Sequence, residues 1–222
     1  MPERRARSDE AKRQRRLAIL KKADQLLRAD GFDAFTMQKL AKACGLAKGT
    51  LYLYFATREE LVLSLYTDLN MAWMDRFLAG ERKGGASDYG GVCTRFYTSF
   101  NTDELLVDLA TRAASTLEPH VPQAAWIAAK QAQGKIARRL GGMFCQKFSC
   151  EPILAQRLAW AFLVAISGSQ QRAIYVDGKD NIPEDLKKLS GIVSFREVFL
   201  NMVLPLVPRV DRSSAAFRTL ID

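Results

Sequence analysis

The chain has 222 residues, 48% hydrophobic and 26% charged, which excludes a disordered protein and is enough to bury a core of one large or two small domains. Its formal charge is +9, and the first 60 residues hold 14 Lys and Arg against 8 acids, so six of the nine excess charges crowd into about a quarter of the chain. Four cysteines (Cys44, Cys93, Cys145, Cys150) in no C-x-x-C pair, with His120 as the single histidine, argue against a metal site.

The chain opens on Arg4, Arg5, Arg7, Lys12, Arg13, Arg15 and Arg16. This cluster reads equally as a solvated, frayed terminus or as a surface for nucleic-acid phosphates or an anionic membrane. No basic-then-apolar leader precedes it, so the expectation is a soluble cytoplasmic protein with reduced thiols. Ile19, Leu20, Ala23, Leu26 and Leu27 then recur at helical spacing, predicting an amphipathic helix over 10–30. Gly31 supplies a left-handed stop, and Phe32 and Phe35 turn inward after it. Thr36 is placed to cap a short helix over 37–43. A second short helix follows the Gly45 turn. Thr57-x-x-Glu60 forms a capping box for a long helix toward Leu78.

Residues 80–91, rich in glycine and polar side chains, predict a loop. Asn101-x-x-Glu104 predicts the cap of a helix carrying Leu105, Leu106, Leu109 and Ala113. Pro119 and Pro122 break the chain, and Pro122 suits the first turn of a helix to about Phe148, which Gly134, Gly141 and Gly142 weaken. Pro152 opens a helix apolar on most sides, yet its longest apolar run, 158–166, falls far short of the ~20 residues that span a bilayer. Ser194-x-x-Glu197 caps a last helix over 195–206, ended by Pro205 and Pro208. Strand patterns are scarce, so the fold class is all-α.

The informative stretch is 36–55. A helix-turn-helix needs a small residue where its helices touch, a glycine in the turn and an apolar inner face on the second helix. Ala41, Gly45 and Leu51 meet these needs, with Leu40, Leu46 and Phe55 completing the seam. Lys48, Gly49, Tyr52 and Leu53 then face solvent or DNA, flanked by Thr50 and Tyr54. Lysine neutralises a phosphate, glycine admits a backbone and hydroxyls donate to phosphate oxygens, while Leu53 suits a thymine methyl. Gln38 and Arg58 extend this surface. Tyr52 or Tyr54 serves equally well to cap the small core with its ring, and Arg58 to be plainly solvated.

These residues, from Ile19-Leu20 through Gly31-Phe32, Thr36, Leu40-Ala41 and Cys44-Gly45-Leu46-Ala47-Lys48-Gly49-Thr50-Leu51-Tyr52 to Tyr54-Phe55 and Arg58-Glu59-Glu60-Leu61, resemble the DNA-binding domain of TetR-family transcriptional regulators. The resemblance implies a three-helix DNA-binding domain over 1–56 with a basic tail over 1–9. It also implies a ligand-binding and dimerisation domain over 57–222, in which 57–80 is the connecting helix. The candidate DNA contacts are Thr36, Gln38, Lys48, Gly49, Thr50, Tyr52, Leu53, Tyr54 and Arg58. Two departures stand out: Ala47 where the family commonly has Ser or Thr, and Leu53 where a polar residue is frequent.

The resemblance further implies a homodimer on a palindromic operator, most often a repressor released by a small molecule. Its interface is expected over 151–175 and 195–206. The 153–166 stretch, apolar on too many sides for one exposed face, agrees with that or with a helix buried inside a monomer. Trp73, Phe77, Phe96, Phe100, Leu105, Leu109, Trp126 and Trp160 are the candidates for an effector pocket and equally for plain core. That mixture would suit a hydrophobic or amphipathic effector. His120 reads as a polar handle there or as a plain surface-loop histidine. No cofactor, metal or membrane partner is expected. No nucleophile triad, nucleotide loop or carboxylate pair indicates an enzyme.

Overall fold

The computed structural model describes the backbone over residues 2–84, 88–177 and 194–206, and side chains over 9–84, 88–169 and 194–206. Helix α1 (Pro2–Ala34) begins earlier than the periodicity predicts and passes Gly31, where φ 78° and ψ 169° break the regular helix. Glycine adopts that conformation without a Cβ penalty. The chain then drops Phe32 and Phe35 into the core, at 5% and 1% exposure. The side chains of Arg4, Arg5 and Arg7 lie outside the described residues. α2 (Met37–Cys44) starts at its predicted cap, Thr36, whose hydroxyl oxygen accepts the Lys39 N–H at 3.2 Å. α3 spans Lys48–Tyr52.

α4 (Arg58–Arg82) opens on a shifted capping box. Thr57 Oγ1 accepts the Glu60 N–H at 2.9 Å, but the Glu60 carboxylate reaches the N–H of Ala56 rather than that of Thr57. α5 (Tyr89–Asn101) begins inside the stretch predicted as loop, because Asp88 caps it through the Gly91 N–H and its apolar side buries Tyr89, Val92 and Cys93. Residues 85–87 of that stretch lie outside the described residues. α6 (Glu104–Arg112) is capped by Asp103 instead of Asn101, which is the last residue of α5. A π turn (Ala113–Leu117), absent from the sequence reading, and a 3-10 turn (Glu118–His120) lead to α7 (Gln123–Phe148).

α8 runs over Pro152–Asp177 and α9 over Phe195–Val203, continued by a 3-10 turn at Leu204–Leu206. The Ser194 and Glu197 side chains form the reciprocal box read from sequence. Pro208 lies outside the described residues. No strand occurs among the described residues.

The chain divides into two compact units, Met1–Leu69 with Arg112–Lys130, and Asn70–Thr111 with Gln131–Asp222. In the first, Ile19, Leu20, Ala23, Leu27, Leu40, Ala41, Leu51, Phe55 and Leu61 are buried. Each large apolar side chain among them contributes about 1.5–3 kcal/mol. The second unit has an aromatic centre in which Phe96 meets Trp73, Phe77, Phe162 and Phe199 at centroid distances of 4.9–5.8 Å. Gly141 lets α7 and α8 approach closely, since a Cβ there would lie 3.2–3.4 Å from Gln156 and Ala155.

One helix is longer and more apolar than the sequence reading allowed: the 18 residues Pro152–Ser169 suffice, by length and composition, to cross a membrane. Within the protein, however, Ala155, Leu158, Ala159, Phe162, Ala165 and Ile166 are buried, and α8 packs on α9. Arg157 interrupts the exposed side. The helix is thus a core element with one uncovered apolar face, formed by Ile153, Leu154, Trp160 and Val164.

Candidate nucleic-acid interface

The geometry of the α2–α3 pair follows from its turn. Gly45 sits at φ 63°, ψ 36°, and its N–H bonds back to Lys42 O while the Leu46 N–H reaches Ala41 O at 2.9 Å. These bonds satisfy the last carbonyls of α2 and turn the chain sharply toward α3. Ala47 occupies the N-cap of α3 with no side-chain bond to the helix, as its methyl dictates. Leu51 and Phe55 are buried at 0% and 1%. Their burial fixes the rotation of the short helix and turns Lys48, Gly49, Tyr52 and Leu53 outward, all exposed, with Thr50 and Tyr54 half-buried at the margins. Leu53 is 76% exposed. Nothing within the chain lies within 4 Å of a Cβ built on Gly49, so the fold does not itself require glycine there. Gln38 and Thr36 are exposed at the start of α2.

Arg58 is placed differently from its sequence reading as part of the basic surface. Its guanidinium turns inward, donating to Phe35 O at 3.0 Å and to Phe32 O, and stacks 4.1 Å from the Phe32 ring centroid. Both carbonyls lie just past the break at Gly31, and Phe32 O also accepts the Phe35 N–H at 3.2 Å. No local sequence signal reveals this.

Residues 19–65 match the family model for bacterial regulatory proteins of the tetR family. Residues 19–65 thus match a TetR-type DNA-binding domain. The chain is 31% identical over 65 residues to the fatty acid metabolism regulator protein of Bacillus subtilis, covering 29% of this chain and 34% of that one. It is 44% identical over 46 residues to the HTH-type transcriptional regulator YerO of the same organism, covering 21% and 16%. The chain therefore spans about a third and a sixth of these curated relatives. Among solved structures, Thermus thermophilus FadR, a TetR-family repressor in complex with lauroyl-CoA, superposes with a TM-score of 0.58 at 17% identity over 90% of this chain and 97% of that one. The all-α architecture, a helix-turn-helix followed by a larger helical region, is that of TetR-family structures.

Beyond this N-terminal head, the predicted effector set separates. Trp73, Phe77, Phe96, Phe100, Leu105 and Leu109 are buried in the second unit, at 0–6% exposure. Trp73 meets Phe96 and Phe100 edge-on at 4.9 Å and donates its Nε1–H to Ser99 Oγ. These rings build the core. Trp160 belongs to the same unit but is 38% exposed on α8. Trp126 belongs to the first unit, where it is 42% exposed and donates to Glu118. His120 also lies in the first unit, its Nδ1 3.0 Å from Thr116 O.

The charges inside the second unit escaped the sequence reading. Glu81, 8% exposed, holds Arg95 at 2.7 Å and Lys147 at 2.8 Å. Neither partner stands at a local spacing from it.

Proposed function

We propose that the chain is a ligand-responsive DNA-binding transcriptional regulator, acting as a homodimeric repressor on a palindromic operator and released by a small molecule. The observation that carries this is the outward face of α3: a lysine, an unneeded glycine, a tyrosine and a 76%-exposed leucine held rigidly by the buried Leu51 and Phe55. That is the chemistry of a recognition helix: cation and close backbone for phosphate, hydroxyl for phosphate oxygen, apolar tip for a thymine methyl. Residues 1–56 form the reading head, and 57–222 the effector and dimerisation domain, with 57–80 connecting them. The contacts are Thr36, Gln38, Lys48, Gly49, Thr50, Tyr52, Leu53 and Tyr54. Arg58 is left out because its donors are engaged within the protein.

The dimer would form through the uncovered α8 face, Ile153, Leu154, Trp160 and Val164, together with the exposed Met202 and Leu206. The side chains of 170–175 within the expected interface lie outside the described residues. Pairing two heads about a two-fold axis doubles the base contacts at about 34 Å spacing. The aromatic and aliphatic side chains of the second unit favour a hydrophobic or amphipathic effector. Such a molecule releases DNA only by its differential affinity for the two states.

A gel shift with a palindrome from the promoter region of the protein's own coding sequence tests the reading. Binding should weaken by about tenfold, the worth of ~1.4 kcal/mol, in Lys48→Ala and in Tyr52→Ala. Unchanged affinity in both would remove the assigned face. Sedimentation of Val164→Glu as a monomer, against a dimeric parent, tests the interface.

A further inference from the structure

Beside the α2–α3 turn lies a groove of about 370 Å³, walled on α1 by Arg15, Lys21, Lys22 and Gln25 and on the turn by Cys44 and Leu46. No carboxylate lines it. Its three cations are exposed, and among the described residues none of them has a carboxylate partner. Neighbouring cations differ: Arg13 is held by Glu10, Arg28 by Asp24 and Lys39 by Asp30, at 2.9–3.1 Å. Three cations without carboxylate partners are thus gathered at one groove, where they repel one another unless an anion joins them.

Two further observations point to the anion. The groove includes Cys44 and Leu46 of the turn, two residues before Lys48 opens α3. Arg15, Lys22 and Cys44 line the same groove, which places both cations beside the turn; burial pushes the Cys44 thiol up, and Lys22 and Arg15 draw it down. They stand seven residues apart on α1, two helical turns or about 10 Å along its axis. That distance matches about three steps of 3.4 Å along one strand of a duplex. A membrane-binding helix would present apolar residues beside its cations. On α1, Leu17 is the one exposed large apolar side chain among the described residues.

We infer that this groove is a second phosphate site, holding with Arg15, Lys21 and Lys22 the sugar–phosphate backbone that flanks the segment read by α3. The site rests on the DNA-binding reading above and adds a sequence-independent contact to it.

Fluorescence anisotropy of the full chain against salt, on a labelled duplex of mixed sequence and on one from its own promoter region, tests the site. In R15Q/K22Q the slope of log affinity against log salt should become shallower by about 1.8, with affinity at ~0.1 M salt at least about tenfold weaker on both duplexes. Preference between the duplexes should stay unchanged. R15K/K22R should retain the parent slope, and R13Q, which removes a cation already paired to Glu10, should alter it little. Melting followed by circular dichroism establishes that R15Q/K22Q remains folded. A folded R15Q/K22Q with parental slope and affinity overturns the proposal. So does one that keeps duplex binding but loses binding to phosphatidylglycerol vesicles. If the parent chain binds no duplex, the regulator reading falls as well; if the parent binds and only Lys48→Ala flattens the slope, the second site falls alone.

Discussion

Arg58 lies 4.1 Å from the centroid of the Phe32 ring and at the same time donates to the carbonyl oxygen of Phe32. One side chain from the first turn of α4 thereby serves both the ring and the backbone of a single residue just past the Gly31 break. A further bond to Phe35 O extends the clamp across the connection into α2. Arg112 lies 4.5 Å from the same ring and pairs with Asp33. The α1–α2 connection, which sets where α2 begins and therefore where α3 points, is held by these cations beside its own bond from the Phe35 N–H to Phe32 O at 3.2 Å.

Removing that clamp should cost stability and not a DNA contact. Arg58→Ala leaves two carbonyls without their charged donor, a loss of about 1.5–3 kcal/mol in urea unfolding. Its salt slope for duplex binding should match the parent's. A slope lower by about 0.9 would mean that Arg58 neutralises a phosphate after all.

Leu53 should behave in the opposite way. At 76% exposure it has little folded-state packing to lose, so Leu53→Ala should move the melting transition by no more than about 0.5 kcal/mol. Operator affinity should nevertheless drop, and most on sites carrying thymine under α3, because the lost contact is with the base methyl. Comparing the selected sequences of parent and Leu53→Ala in a randomised-duplex experiment checks this. Identical preferences would show that Leu53 reads no base.

Gly45→Ala probes the turn by conformation alone. A Cβ there would meet nothing within 4 Å, but the backbone sits at φ 63°. The expected loss is about 1–2 kcal/mol from the left-handed conformation. This is the kind of feature a sequence displays openly. Thr36, Gly45, Leu51 and Phe55 act on neighbours a few residues away, so their spacing already contains the turn, its cap and the inner face of α3. The Ser194–Glu197 box was legible for the same reason. Arg58 was not, because the carbonyls it serves are exposed by a helix break 27 residues earlier in the chain. The cap of α6 was misread because Asn101 and Asp103 both suit the role locally, and α5 runs far enough to absorb Asn101. Trp126 joined the effector set on residue type alone, although it lies exposed in the other unit.

Glu81 illustrates a charge whose loss reaches two helices. Its side chain is 3% exposed, while Arg95 and Lys147 are 36% and 18% exposed. Glu81→Ala strands two partly buried cations, and about 2–3 kcal/mol should be lost, below the full buried-pair figure because solvent still reaches Arg95. Glu81→Gln should recover part of it through its amide oxygen. Urea midpoints of the two variants, read beside the parent, decide the order.

The pH dependence of stability should be dominated at the alkaline end by the buried Tyr89–Cys93 pair. Burial pushes the Cys93 thiol from its ordinary value near 9 up to about 12; the Tyr89 hydroxyl bond pulls it down and the Asp88 charge adds to the rise. Burial raises Tyr89 as well, reinforced by Cys93, and its hydroxyl donates to Val203 O at 2.8 Å. Both groups hold their protons longer in the folded chain than in the unfolded one. Their contribution is therefore complete below about pH 9 and is lost as pH rises toward 12, at about 1.4 kcal/mol per unit for each group titrating in the unfolded state alone. Tyr89 joins above its ordinary value near 10. Urea unfolding of the parent at a series of pH values from about 8 to 11 should show this steepening decline. In Cys93→Ala the decline should begin about a unit later and be shallower by one proton. A variant whose decline tracks the parent's across the whole range would show that Cys93 does not stay protonated in the folded protein.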